Sequence, residues 1–352
     1  MPNGRAPTAG ESFQSEAMAN TLGEIADSRG ESFYRGRLAS RIVADAARLD
    51  GALTEQDLAE HQGFWTDCIQ QDFKALTVHE IPPNGQGIAA LIALGILEHL
   101  NIDAYAMDSA DSVHLQIEAM KAAFAETNSH VSDPDTMRVT VDQLLDSTTL
   151  QRRADEISLT QAASPVAAVK PDHGTVYLAA ADDNGMMVSW IQSNYHGFGA
   201  GIVVPDIGVS LQNRGRGFSL QPGHPHDVDG GKRPFPTIIP AFVSRQGTPL
   251  MAFGVMGGHH QPQGHTQVMI RMFCQGASPQ QALDAPRWHI NDDFSLCLEP
   301  ALTHLHEELT KRGHILSESK IGTFGGGQII LRDGDGYIAG SDPRKDGQAT
   351  GF

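Results

Sequence analysis

Cysteine is scarce. Cys68, Cys274 and Cys297 are an odd number in 352 residues and lack metal-ligand spacing, so a disulfide framework is not expected and the usage suits a reducing compartment. Positive charge is also short. With 25 Lys and Arg against 42 Asp and Glu the net charge is −17, which argues against nucleic acid or an anionic membrane as partner. The stretch at the N-terminus has no apolar core, so no signal peptide or membrane span is visible there. The chain therefore reads as cytoplasmic, with the alternative that an upstream export signal has been lost. No internal repeat of roughly 20 to 50 residues is evident. What is present is a soluble globular composition, 40% hydrophobic and 19% charged, with 37 glycines that imply many tight turns.

The first half reads as helical. Helical spacing runs over 14–29 (Leu22, Ile25, Ala26) and 35–49 (Leu38, Ile42, Val43, Ala46), with Ser32–Gly36 as a connector. Thr54 and Asp57 are placed to cap a short helix. Leu76–Ile81 alternates as a strand and runs through Pro82–Gly87 into an apolar helix ending at Leu100, and a further helix over 111–127 carries His114 as a structural residue. The turn at 82–87 lacks the spacing of a phosphate loop. After a polar helical pattern over 141–157, residues 162–174 have no periodicity and contain two prolines. They read as an exposed linker of the kind where chains are cut.

From Thr175 strands dominate: 175–182 and 187–193 around Asp183-Asn184-Gly185, then 202–204, 207–212, 237–245 and 249–255. Helices follow at 264–275, 278–285 and 302–312, and a closing hairpin spans 328–332 and 337–339. Sheet layers with helices packed outside make an α+β architecture. The core strand after Thr175 lacks a partner sheet unless the two halves share one.

Thr175 is thus a hydroxyl at the junction of linker and strand. One reading makes it the first residue of a core strand. The other makes it a nucleophile. A threonine at a new N-terminus carries its own base, an α-amine with a pKa near about 8. Exposing that amine mid-chain requires a cut, by attack of Thr175 Oγ on the Gly174 carbonyl and hydrolysis of the resulting ester. Gly254-Val255-Met256-Gly257-Gly258 ends an apolar strand ahead of a helix, where bare backbone N–H groups can serve an oxyanion or simply form a turn. The competing chemistry is a metal site in the histidine clusters His224–His226 and His259–His265, but none has the HExxH spacing and no metal is expected.

Several stretches together resemble the γ-glutamyltransferase family of N-terminal-nucleophile hydrolases. They are Thr175–Leu178 with Asp182–Gly185, Gly197–Val204, Gly231–Pro234, Gly257-Gly258 and Gly340–Gly347, joined by Gly4–Pro7 and Pro82–Gly87 in the first half. The resemblance implies an αββα sandwich. It is made as one precursor and cleaved between Gly174 and Thr175 into a mostly helical large-subunit portion (1–174) and a small subunit (175–352) that stay together as a heterodimer. It also implies an acyl-threonine reaction on γ-glutamyl amides such as glutathione, by transfer or hydrolysis, with no cofactor. Thr175 falls on the nucleophile, Gly257 and Gly258 on the oxyanion glycines, and Thr237 on a hydroxyl for the substrate carboxylate. Ser193 and Arg214 join the substrate-binding candidates, and the family's asparagine lands on Asn194 or Tyr195.

Four departures stand out. A large-subunit segment with the carboxylate-binding arginine is expected ahead of Gly4–Pro7, so the chain reads as N-terminally short. The motif ending at Phe218 has Gly217 where a carboxylate would read the substrate amine. The stretch 218–232 is too short for the family's lid, and Val176 replaces a second threonine, leaving Ser193 to supply another hydroxyl. The expected function is a γ-glutamyl amidase. The alternatives are an acylase for glutaryl-type amides without an α-amine, or an inactive relic acting as an interaction protein.

Overall fold

The run Gly87–His99 is apolar on every side of a helix, and such a helix must be enclosed on all sides. In the computed structural model of the chain, which describes residues 4–163 and 174–352, Gly87 through Leu97 are all buried. The chain's described residues fall into two compact units, those within Met1–Trp65 and Phe198–Gln212, and those within Thr66–Gly197 and Asn213–Phe352.

The first unit is small. It contains α1 (Glu16–Asp27), α2 (Glu31–Arg35), α3 (Arg37–Arg48) and α4 (Glu55–Glu60). Leu38 and Ile42 of α3 bury against Val204 and Ile207, while Thr21 donates to the Ile207 carbonyl at 2.8 Å. The expected connector at 32–36 is helix α2 instead, entered through Gly30 in the left-handed region. The strands expected at 202–204 and 207–212 reduce to a single bridge, Val203 to Ser210. Thr54 and Asp57 do form the expected capping box of α4.

The second unit holds the larger core. Its strands are β1 (Ile69–Phe73), β2 (Leu76–Glu80), β3 (Gly174–Ala181), β4 (Met187–Tyr195), β5 (Ala241–Arg245), β6 (Thr248–Met256), β7 (Trp288–Ile290), β8 (Leu296–Leu298), β9 (Gly326–Asp333) and β10 (Gly336–Ser341). Six of them make one antiparallel sheet in the order β1-β2-β5-β6-β9-β10. The two halves therefore do share a sheet, joined where β2 pairs β5. Strand β1 was not foreseen because Gln70, Gln71 and Asp72 hide its alternation.

Helices α5 (Gly87–His99), α6 (Ala110–His130), α7 (Val141–Leu145), α8 (Ser147–Asp155), α9 (His260–Phe273), α10 (Pro279–Asp284) and α11 (His306–Lys311) complete the unit. The polar pattern over 141–157 is two helices, broken at Asp146, whose carboxylate caps the second. Helices α5, α9 and α10 pack on the sheet, and the β3–β4 hairpin packs on β6 and β9. Period-two alternation explains how β6 serves both sides. A Cβ on Gly254 would fall 2.4 Å from the Tyr177 ring of β3, while Val255 packs against Gly264 of α9. The layers run helix, sheet, hairpin, as an α+β sandwich requires. Val176, Leu178, Val188 and Trp190 on the hairpin's other face are exposed. No described helix is long and apolar enough to cross a membrane.

The linker expected at 162–174 falls mainly on 164–173, outside the described residues.

Candidate active site

Thr175 stands on the inward face of β3, opposite Ser193 of β4, and the pairing slips between Gly174 and Thr175. A register slip there leaves the Gly174–Thr175 peptide out of the regular ladder. Thr175 Oγ1 donates to Ser193 Oγ at 3.2 Å, and the same Ser193 oxygen accepts the Tyr195 N–H at 2.8 Å. Tyr195 is buried with φ at +79°, an unusual conformation for a bulky residue. Arg214 donates to the Ser193 carbonyl at 3.0 Å and lies over the Tyr195 ring, 5.9 Å from its centre. Burial pulls the Arg214 guanidinium below its ordinary pKa and pushes the Tyr195 phenol up. The Asn194 carbonyl accepts the Asn213 N–H at 3.1 Å. The structure thus brings Thr175, Ser193, Asn194, Tyr195 and Arg214 together.

Gly257 and Gly258 follow β6 with φ of +135° and +56°, angles that side-chain-bearing residues rarely adopt. Gly257 and Thr175 line one cavity of about 570 Å³, with Met256, Gly325, Gln328 and Lys345 around them. Thr237 is almost wholly buried, and its Oγ1 has no hydrogen-bond partner among the described residues. A buried hydroxyl left unbonded is costly, so it is a ready donor for a bound group. Gly217 is glycine for a steric reason: a Cβ there would meet the Phe235 carbonyl oxygen at 2.6 Å.

Three sets of supporting residues carry no role at the site in the sequence reading. Glu80 and His265 pair at 2.7 Å in the core, and His265 Nε2 accepts the Val255 N–H at 3.1 Å, just ahead of the glycines. That acceptance fixes Nδ1 as the protonated nitrogen facing Glu80. Burial pushes the Glu80 carboxyl up, against the opposing pull of His265. Gln86 bonds the carbonyls of Thr237 and Gly258 at 2.7 and 2.8 Å. Asp342 takes Arg287 at 2.6 Å on Oδ2 and Arg344 at 3.1 Å on Oδ1, while Arg344 also forks onto Glu299. This holds the loop that presents Lys345 to the cavity. Gln86 was within reach of sequence reasoning, since the Pro82–Gly87 turn was visible and lacked a role. Glu80 and Asp342 are distinguishable only once their burial is known.

The histidine clusters are occupied within the fold. His260 faces His289, His265 faces Glu80, and His226 bonds the Val131 carbonyl at 2.7 Å. Among the described residues, His114, Glu118 and His314 are close enough to share an ion. The Lys121 ammonium, however, lies 2.9 Å from Glu118 and 3.2 Å from His314, where it supplies the positive charge itself. Burial, with Lys121 as the next cause, pushes His314 down to about 3. His114 is structural as expected, bonding His314 and the Ser158 carbonyl.

The family model for γ-glutamyltranspeptidase matches residues 1–352, and the chain belongs to that family. Over 99% of its length it is 33% identical to the glutathione hydrolase-like YwrD proenzyme of Bacillus subtilis and 36% identical to the oxamate amidohydrolase proenzyme of Klebsiella pneumoniae. It spans 68% and 67% of those two proteins. The crystal structure of a cephalosporin acylase from Bacillus halodurans superposes with a TM-score of 0.91 at 45% identity, covering 99% of this chain and 64% of that one. The fold is therefore the α+β sandwich of the N-terminal-nucleophile hydrolases.

Proposed function

We propose that this chain carries the catalytic centre of an autoprocessing amidase that cuts itself between Gly174 and Thr175 and acts through an acyl-threonine. The observation that carries this reading is the placement of Thr175: at a register slip, bonded to Ser193, on one cavity wall with Gly257. In the first step Thr175 Oγ adds to the Gly174 carbonyl, the C–N bond breaks, and the acyl group moves to oxygen. Water then cleaves the ester and leaves a free α-amine. In turnover that amine takes the Oγ proton and returns it to the departing amine of the substrate. The Gly257 and Gly258 N–H groups face the oxyanion, and water releases the acid. Residues up to Gly174 then belong to the large subunit and those from Thr175 to the small subunit of the resulting heterodimer.

The substrate belongs among small acyl amides, with γ-glutamyl amides as the family's reaction. The absence of a carboxylate at Gly217 favours a second reading, acyl groups that lack an α-ammonium, because Gly217 itself offers an ammonium nothing to pair with. Names among the relatives, an oxamate amidohydrolase and a cephalosporin acylase, support the same direction. The test is intact-mass measurement of purified protein. Pieces of 174 and 178 residues are expected from wild type and a whole chain from Thr175→Ala. A wild-type chain that stays whole overturns the proposal. Rates on glutaryl and γ-glutamyl p-nitroanilides then separate the two substrate readings, the first being favoured if the acylase reading holds.

A further inference from the structure

Gln86 is a carboxamide with almost no exposure, at the end of a turn whose purpose the sequence left open. A carboxamide has two N–H donors and one acceptor, and here each has a partner. One N–H goes to the Thr237 carbonyl at 2.7 Å and the other to the Gly258 carbonyl at 2.8 Å, while Oε1 lies 3.2 Å from His259 Nδ1. Gln86 precedes the cut, and all three partners follow it. Its neighbours repeat the pattern: Asn84 bonds the Pro234 carbonyl at 2.6 Å, and Glu80 reaches His265 at 2.7 Å.

From this we infer that Gln86 is a positioning residue for the oxyanion turn, contributed by the portion of the chain before Thr175. The inference rests on the proposed role of Gly257 and Gly258 as oxyanion donors. The Gly258 carbonyl also accepts the Gln261 N–H at 3.2 Å, and the Gly257 carbonyl accepts that of His260 at 2.9 Å. Two bonds from different directions fix the Gly258–His259 peptide and with it the ψ of Gly258, the residue whose own N–H is the proposed donor and whose freedom would otherwise leave the turn loose at φ +56°. The second arm of Gln86 ties that peptide to the backbone of Thr237, whose buried hydroxyl is the candidate for the substrate carboxylate. One side chain therefore sets the spacing between the group that stabilises the transition state and the group that holds the substrate. An apolar residue of the same length would fit among Phe124, Phe235 and Phe294, which line the small cavity beside Gln86. It would do neither job.

The test compares Gln86→Met with Gln267→Met in the full chain. Gln267 is likewise a buried carboxamide, but its bonds go to Trp288 N and O and the Gln263 carbonyl and none to the glycines. Both variants should lose some thermal stability, because each strands backbone partners. Per folded molecule, Gln86→Met should lose about 100-fold in kcat on the better p-nitroanilide with KM changed less than about threefold, as loss of a transition-state contact predicts. Gln267→Met should keep its kcat. Amide hydrogen exchange of His260 and Gln261, measured without substrate, should quicken about tenfold or more in Gln86→Met alone. If the two variants match in kcat and in exchange, Gln86 is merely structural and the inference falls. If wild type neither splits nor hydrolyses either amide, the proposed function falls and the oxyanion role of the turn with it, while the exchange comparison still decides whether Gln86 holds that turn.

Discussion

The structure on the two sides of Thr175, the cavity it lines with Gly257 and the strand it pairs with, is built differently. On the side of β6 and β9, the glycine turn and the 342–347 loop are fixed by buried polar groups: Glu80 with His265, Gln86 with Gly258, and Asp342 between two arginines. On the side of β4 and 213–218, Ser193 takes the Thr175 hydroxyl, the Tyr195 N–H and the Arg214 guanidinium, Asn194 and Asn213 meet through backbone, and Gly217 brings no side chain at all. On the proposed function, the bond-breaking geometry is held by several independent contacts, whereas the groups that would read a substrate are few. Such a division suits a scaffold whose chemistry is constant and whose acyl group is open to change.

The largest expected effect comes from breaking the fixed side. Asp342 and Arg287 are both buried, and removing the carboxylate leaves a guanidinium without its counter-charge. Asp342→Ala should destabilise the protein by about 3–5 kcal/mol in denaturant unfolding. A loss under about 1 kcal/mol would mean that the 342–347 loop is held by packing alone, and the contrast between the two sides would weaken.

Much of this was legible in the sequence, for stated reasons. The hairpin 175–193 announces itself by alternation around Asn184-Gly185, and Gly257-Gly258 by glycines between an apolar strand and a helix. The architecture could be read because period-two and period-3.6 patterns survive in the buried elements. Strand β1 could not, since Ile69-Gln70-Gln71-Asp72 carries polar residues on a partly solvated edge. The supporting shell was illegible for a different reason. Glu80, Gln86, Arg287 and Asp342 look like surface residues by type, and only their partners, distant in the chain, reveal them as buried. Gly217 is the converse case. The missing carboxylate was visible at once, but its cause, the Phe235 carbonyl, needed the structure.

Acid should loosen the packing of Phe235, whose carbonyl abuts Gly217. His226 stacks on Phe235 with ring centres 4.6 Å apart, and burial pushes its pKa down to about 4. In the unfolded chain a histidine titrates near about 6.5. Below that pH the unfolded chain takes up a proton that the folded one refuses, so the contribution is complete above about 6.5 and is lost as pH falls toward 4. Between pH 7 and 4.5 this is worth about 2–3 kcal/mol. His226→Gln keeps a donor for the Val131 carbonyl, removes the titration, and should flatten the pH dependence of the unfolding free energy by that amount. An unchanged slope would move the acid sensitivity elsewhere in the core.

The smallest effect asks whether the open side can be repaired by one charge. Gly217→Asp supplies the carboxylate that an α-ammonium would need, but its Cβ would lie 2.6 Å from the Phe235 oxygen and 3.1 Å from the Phe235 nitrogen. Backbone cannot yield as a side-chain tip does, so the variant should lose about 1–3 kcal/mol, read as a lowered Tm. The shift that relieves the contact displaces the new carboxylate together with the 213–218 segment. The ratio of γ-glutamyl to glutaryl p-nitroanilide hydrolysis should therefore change by less than about threefold, because a charge-assisted bond needs close and aligned partners. A tenfold gain for the γ-glutamyl amide would show that recognition on this side lacks only a charge. The difference between the two sides would then be one of side-chain choice rather than of backbone.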